Sequence, residues 1–328
     1  MKIIDLRKIQ NKSKNTKRIN SFAEDVDKGL SLKNKAISSK YFYDDIGSSL
    51  FQKITKHPDY YLTKNEIEIL NKVKLKLPNI LKIKEIDIIE LGPGDGSKSK
   101  IIIEGFLKNN YIVNYYPIDI SKKALKLIER NIKENNRLNI NGIVSEYIEG
   151  LNYVKNISKN KQLILFLGSN IGNFEKPQSV EFMKSINKNI KKDSYIFIGF
   201  DLKKDPRKLN KAYNDSSNLT KKFNLNLLTR INNDMQANFN LNKFVHYGTY
   251  NPLLGAMESF LISKVKHQVN IKKIKKIYSF KAYETIHLEY SFKYSIEDIE
   301  DLAKKSKFTI QKYYKNIDRG FTNSLWKK

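Results

Sequence analysis

The sequence predicts an α/β fold: a doubly wound, Rossmann-like parallel sheet, interrupted by a second block of α+β character. Three observations carry that expectation. Short apolar runs alternate with amphipathic helical stretches from residue 86 to residue 200, the rhythm of successive βαβ units. The first of these runs ends in clustered glycines, Ile86–Ser99 reading IDIIELGPGDGSKS. The run 162–167, QLILFL, is continuously apolar, as parallel strands buried on both faces are.

Taken in order, residues 1–40 are basic and polar, with the run Lys8–Lys17, and partial disorder is expected at the very start. Ser48 is expected to cap a helix carrying Leu50, Phe51 and Ile54, which Pro58 interrupts. Thr63 then opens a second helix with Ile67, Leu70, Val73 and Leu77 at helical spacing. Thr63 and Glu66 fit the capping box. The sheet follows as strand 86–91, helix 98–107, strand 111–118, helix 121–132, strand 142–148, strand 162–167, helix 176–190 and strand 194–200. After Asp201 the rhythm breaks. Residues 206–215 and 217–237 read as helices, 254–269 and 277–292 as two long strands. Helix 296–306 and strands 308–314 and 321–326 close the chain. Three parts are therefore expected: an N-terminal helical segment (1–78) joining the substrate domain, a main domain (79–201 and 294–328), and an inserted substrate-binding domain (202–293).

Composition narrows the chemistry. With 328 residues, 40% of them hydrophobic, the chain can bury a sizeable core. It has no cysteine, which removes disulfides, thiolate zinc sites and Cys nucleophiles. The four histidines, His57, His246, His267 and His287, are far apart and lack metal-ligand spacing, so no metal is expected. The first residues lack a long apolar core with a cleavage site, and no apolar run reaches membrane-spanning length. A cytoplasmic, monomeric protein is expected. The net charge of +27 raises nucleic acid as a partner, but it comes from 54 Lys and only seven Arg, spread along the chain. Base and phosphate recognition favours Arg forks, so a Lys/Asn/Ile-biased composition is the preferred explanation and RNA the rival.

In an open α/β sheet, ligands lie beyond the carboxyl ends of the strands. The first strand ends in Glu90-Leu91-Gly92. Gly92 and Gly94 let the backbone approach a ligand, and Gly96 lets the helix start tight against the strand. The pyrophosphate fingerprint G-x-G-x-x-G is not met, since its third glycine would fall at Ser97. The second strand ends near Asp119, whose two oxygens suit ribose hydroxyls. The third ends near Glu146-Tyr147, an expected adenine edge. The fourth ends in Gly168-Ser169-Asn170-Ile171-Gly172-Asn173, where small residues leave room for a substrate and Asn173 offers a donor and an acceptor.

The turn E-L-G-x-G-x-G resembles the first motif of S-adenosylmethionine (SAM) methyltransferases. From Tyr41 onward the chain resembles the ergothioneine-pathway L-histidine Nα-methyltransferases, the family that forms trimethylhistidine (hercynine). The segments that carry the resemblance are FYDDIGSSLFQKITKHPDYY (42–61), ELGPGDGSKS (90–99), YYPIDIS (115–121), LGSNIGNF (167–174), DLKKD (201–205), AYND (212–215), FNLNLLTRIN (223–232) and LEYSFKYS (288–295). Together they are specific where none is alone.

The resemblance implies a class I SAM-methyltransferase fold with SAM as methyl donor and a small amino acid as the other substrate. It implies cofactor contacts from Gly92, Gly94, Lys98, Asp119, Glu146 and Tyr147. It implies substrate contacts from Tyr60, Gly168, Asn173, Tyr213, Glu289 and Ser291, with Asn173 and Tyr213 on the carboxylate and Glu289, Ser291 and Tyr60 at the imidazole. Tyr43 and Asn173 are the catalytic candidates. The chain departs from the family at Ser99 (usually Thr), Glu146 (usually Asp) and Ser259 (usually Met), the last near the side-chain pocket. Another amino acid of the Trp or Tyr type, or RNA, is the alternative substrate.

Overall fold

The structure is a computed structural model and describes residues 1–9, 13–81 and 83–328. Its strands, in chain order, are β1 (Lys2–Asp5), β2 (Lys35–Ala36), β3 (Glu85–Leu91), β4 (Ile112–Asp119), β5 (Leu138–Val144), β6 (Lys161–Phe166), β7 (Tyr195–Asp201), β8 (Phe244–Asn251), β9 (Ala256–Ser263), β10 (His267–Ile271), β11 (Lys276–Phe280), β12 (Thr285–Phe292), β13 (Thr309–Lys315) and β14 (Phe321–Lys327). The chain divides into two compact units. Unit 1 comprises Met1–Asn11, Leu62–Lys203 and Lys293–Lys328; unit 2 comprises Lys12–Tyr61 and Lys204–Phe292.

Unit 1 is built on an eight-stranded sheet in the order β1-β5-β4-β3-β6-β7-β14-β13. The strands from β1 to β7 run parallel, while β14 pairs antiparallel with both β7 and β13. β3 is the central strand, with Ile88 registered against Tyr115 on one side and Leu163 on the other. Every residue of β3 after Glu85 is buried, which is why this stretch reads as an apolar run rather than an alternating one. Strand order reverses between β3 and β6, so the ends of these two strands form the topological switch point where α/β sheets bind ligands.

Several expectations change. The third strand lies at Leu138–Val144, not 142–148, because residues 147–157 form a helix with Glu146 at its N-cap position. The start of the chain is ordered: Lys2–Asp5 adds an edge strand beside β5, and the terminal ammonium bonds Glu134 at 2.6 Å. Part of the basic run Lys8–Lys17, residues 10–12, lies outside the described residues. The segment 1–78 does not stay together, since residues 62–78 and the first strand belong to unit 1.

Unit 2 holds a four-stranded sheet, β2-β12-β9-β8, and the hairpin β10-β11. Helices Asp45–Thr55 and Leu219–Met235 contribute to its core, where Phe42, Phe223, Leu228, Leu261, Phe280 and Leu288 pack together. The two expected long strands are in fact four. The unexpected breaks fall at residues 264–266 and 281–284, the second carrying Tyr283 in left-handed backbone (φ 63°). Neither turn has the Gly or Asn that would have announced it, and β8 was likewise not expected. The helix after Tyr43 is capped by Asp44, whose carboxylate accepts from the Gly47 N–H at 2.6 Å, rather than by Ser48. The next helix begins at Tyr61, two residues before Thr63.

Candidate active site

In unit 1 the site is made by strand ends. At the end of β3, Gly92, Gly94 and Gly96 all adopt left-handed backbone (φ 68°, 60° and 76°), which L side chains tolerate poorly. A Cβ on Gly92 would lie 2.6 Å from the Tyr147 hydroxyl, whereas one on Gly94 would meet nothing within 4 Å. The turn therefore presents bare backbone on its open side. Just before it, the fully buried Glu90 carboxylate accepts a hydrogen bond from the Tyr115 hydroxyl, itself 2.9 Å from Ser99 Oγ. Burial pushes the Glu90 carboxyl up to about 7, despite the Tyr115 and Ser99 hydrogen bonds and nearby Lys98 that favour its charged form.

Asp119 ends β4. One of its oxygens accepts the Ser121 N–H at 2.7 Å, and burial raises its carboxyl to about 6. Ser121 caps the following helix through its own side chain. Glu146 and Tyr147 come directly after β5. Glu146 is exposed at the helix N-cap position, and Tyr147 packs against Phe166 and Phe182, with burial holding its hydroxyl protonated far above the usual range. Beyond β6, Gly168 and Ser169 are both left-handed (φ 80° and 58°), and Asn173 is exposed at the end of the 3-10 turn Asn170–Asn173.

Two residues near these turns were not anticipated. The Asn170 side chain stands within 4 Å of the Cβ positions of both Gly92 and Gly168, so it lies between the two turns. Glu66 is fully buried, and one of its oxygens accepts from Lys98 Nζ at 2.7 Å and from the Gly168 N–H at 2.8 Å. The expected capping box with Thr63 is thus not formed.

In unit 2 the expected substrate residues fall into three contacts. Tyr213, at the end of helix Pro206–Tyr213, donates its hydroxyl hydrogen to Ser291 Oγ on β12 at 2.7 Å. Glu289, two residues earlier on β12, is registered directly opposite the buried Ser259 of β9. Tyr43 and Tyr60 both pack edge-on against Phe51, at ring separations of 5.5 and 6.3 Å. The turn carrying Tyr60 is pinned by Asp59, which accepts the Ser216 N–H at 3.0 Å and pairs with Lys211 at 3.1 Å. The Ser216 amide and hydroxyl and Lys211 hold the Asp59 carboxyl down at about 2.

Residues 22–328 match the family described as "Histidine-specific methyltransferase, SAM-dependent". The chain belongs to this family. It is 28% identical to the histidine N-alpha-methyltransferase of Mycolicibacterium smegmatis, over 84% of this chain and 85% of that protein. It is 26% identical to ergothioneine biosynthesis protein 1 of Schizosaccharomyces pombe, over 87% of this chain but 38% of that longer protein. Among solved structures it is similar to the 1,6-didemethyltoxoflavin-N1-methyltransferase of Burkholderia thailandensis, with a TM-score of 0.42 and 8% identity over 86% of this chain and 87% of that one.

For a SAM-dependent methyltransferase the unit 1 residues fit their methyl donor. SAM asks for a carboxylate that can take ribose hydroxyls, a cation for the carboxylate of its amino-acid tail, and backbone it can approach without Cβ atoms. Asp119, Lys98 and the open turn at Gly94 offer that donor and acceptor set. Among the described residues no group of three or more His, Cys, Asp or Glu could hold a metal ion. No helix among them is long and apolar enough to cross a membrane.

Proposed function

We propose that this enzyme transfers methyl groups from SAM to the α-amine of L-histidine, three times in succession, yielding hercynine. Membership of a histidine-specific, SAM-dependent family supports the reaction class. The observation that carries the substrate reading is the arrangement on β12. Glu289 and Ser291 lie two apart on one strand, and Ser291 is hydrogen-bonded to Tyr213. An imidazole offers a ring N–H that a carboxylate accepts and a hydroxyl can assist. Glu289, Ser291 and Tyr60 are assigned to the ring, and Asn173, Tyr213 and the Gly168 backbone to the amino-acid carboxylate. Unit 2 is accordingly read as the substrate-binding domain.

The donor is assigned to unit 1: Asp119 to its ribose, Lys98 to its tail carboxylate, Gly92 and Gly94 to close backbone approach, and Glu146 and Tyr147 to its adenine. When bound, SAM supplies the methyl group on a sulfonium that is already a good leaving group. The chain's task is therefore mainly positioning. The α-amine, with an ordinary pKa of roughly 8, must reach its neutral form before attack. Its proton passes to water or through Tyr43, and no dedicated general base is assigned. Holding the carboxylate and the ring while leaving the amine loosely gripped lets it rotate between transfers.

A panel of free amino acids with SAM, followed by mono- and dimethylhistidine, tests the reading. Turnover of histidine and of both intermediates is expected. An inactive histidine beside an active aromatic amino acid would overturn the substrate, and an inert dimethyl form would overturn trimethylation. The enzyme is further read as a cytoplasmic monomer without a nucleic-acid partner. Light scattering on the purified chain reads the first point, and RNA binding with a steep salt dependence would refute the last.

A further inference from the structure

We infer that Glu66 is a positioning residue that couples the cofactor side of unit 1 to its substrate turn. The inference rests on the reading of Lys98 as a cofactor residue. Glu66 lies on the helix Tyr61–Val73 and is completely buried. Its two oxygens collect three donors from distant parts of the chain: Lys98 Nζ at 2.7 Å and the Gly168 N–H at 2.8 Å on one oxygen, and Asn323 Nδ2 at 2.9 Å on the other. A buried carboxylate persists only when it is paired and hydrogen-bonded, and here both conditions are met, by the first turn of helix Ser97–Lys108, the turn beyond β6 and the strand β14. The seat is made for it: a Cβ on Gly199, in the interior of β7, would come within 2.2 Å of the Glu66 carboxylate. Glycine inside a strand weakens it and marks a place of close approach.

The consequence follows from the chemistry of the two donors. A lysine ammonium on its flexible four-carbon stem samples many rotamers when unrestrained. The ion pair with Glu66 removes that freedom before any ligand arrives, and a Lys98 side chain 21% exposed keeps part of its surface available. The same Glu66 oxygen holds the Gly168 amide, and with it the start of the left-handed Gly168–Ser169 turn. One carboxylate thus sets both the cation offered to the donor's tail and the turn beyond β6. Neutralising it has an opposing effect, because Lys98 then projects a stronger positive field. The amino-acid tail of SAM is zwitterionic, however, so that field attracts one end and repels the other. Loss of position dominates.

The test uses the full chain and S-adenosylhomocysteine as probe, with binding measured by titration calorimetry for the wild type, Glu66→Gln, Lys98→Met and the double variant. Glu66→Gln is expected to weaken binding roughly tenfold in the wild-type background and less than about twofold in the Lys98→Met background, because contacting groups couple. A merely structural role would lower the unfolding midpoint without that dependence on Lys98. Unchanged or tighter binding by Glu66→Gln, or an equal loss in both backgrounds, overturns the inference while leaving Lys98 as a cofactor residue. If Lys98→Met itself binds like the wild type, the reading of Lys98 fails and the inference with it. Should Glu66→Gln not fold, Glu66→Asp keeps the charge but withdraws it by one methylene, and the same coupled loss is expected; its absence is equally decisive.

Discussion

Replacing Glu90 by Gln should make unit 1 less sensitive to alkaline pH, by an amount the structure allows to be worked out. The Glu90 carboxyl is fully buried, and burial raises it from an ordinary 4.5 to about 7. A carboxyl raised in the folded state binds its proton more tightly there than in the unfolded chain. The stability it contributes is therefore complete below pH 4.5 and is lost as pH rises through about 7. At roughly 1.4 kcal/mol per pH unit, the interval corresponds to about 3 kcal/mol. Gln has the same shape and cannot ionise, and the Tyr115 and Ser99 hydroxyls can reorient around it. Groups that titrate equally in both proteins cancel in the comparison. Trp326, the single tryptophan, is fully buried in β14, so its fluorescence reports the unfolding of unit 1. Urea curves read at this residue should show Glu90→Gln gaining about 3 kcal/mol on the wild type between pH 4.5 and pH 8. A stability difference that is the same at both pH values would refute the reasoning, because Glu90 would then be titrating as an exposed acid.

Three further outcomes are expected. The Asp119 carboxyl, raised by burial to about 6, is a poorer acceptor for ribose hydroxyls once protonated, so SAM affinity should fall by about tenfold per pH unit below that point. Asp119→Asn should bind weakly with a flat profile, and a flat wild-type profile from pH 5 to 8 would remove Asp119 from the site. Gly92→Ala forces a side chain into backbone at φ 68° and sets its Cβ 2.6 Å from the Tyr147 hydroxyl; a loss of SAM binding is expected with about 1–2 kcal/mol of destabilisation, and unaltered binding would place the ligand elsewhere. Glu289→Ala should raise the KM for histidine by about tenfold or more, the scale of a hydrogen bond to a charged group, with S-adenosylhomocysteine binding intact; simultaneous loss of both would make Glu289 structural.

The candidate residues of the two units were legible to different degrees, and the reason is distance along the chain. The glycine turn is local. A strand, three glycines and a helix follow one another within Glu85–Lys108, and the left-handed backbone that makes them necessary is a property of the residues themselves. Asp119 and Gly168 were found by the same rule, as the ends of neighbouring parallel strands. The Tyr213–Ser291 bond joins residues 78 apart, and no periodicity or turn signal announces it; those two residues, with Tyr43, Tyr60 and Glu289, came from resemblance alone. The strand shifted from 142–148 to Leu138–Val144 shows the opposite failure. There Gly142 reads as a beginning, whereas the strand ends at Val144 and the helix starting at Tyr147 takes the residues that follow.

Glu66 shows why local grammar can point the wrong way. Thr63-Lys64-Asn65-Glu66 satisfies every condition of a capping box, yet the helix begins at Tyr61 and Glu66 lies inside it. A helix-interior glutamate would ordinarily face water. This one is buried because its partners come from 32, 102 and 257 residues away, at Lys98, Gly168 and Asn323. None of the three contacts helps the helix that carries it. Removing one partner from such a buried, charged set costs about 3–5 kcal/mol, while an apolar replacement of the whole set is often neutral. Stability is therefore a poor reason for the arrangement. What it uniquely supplies is a fixed relation between Lys98 and the Gly168 turn, and an enzyme that works mainly by positioning has a use for that relation.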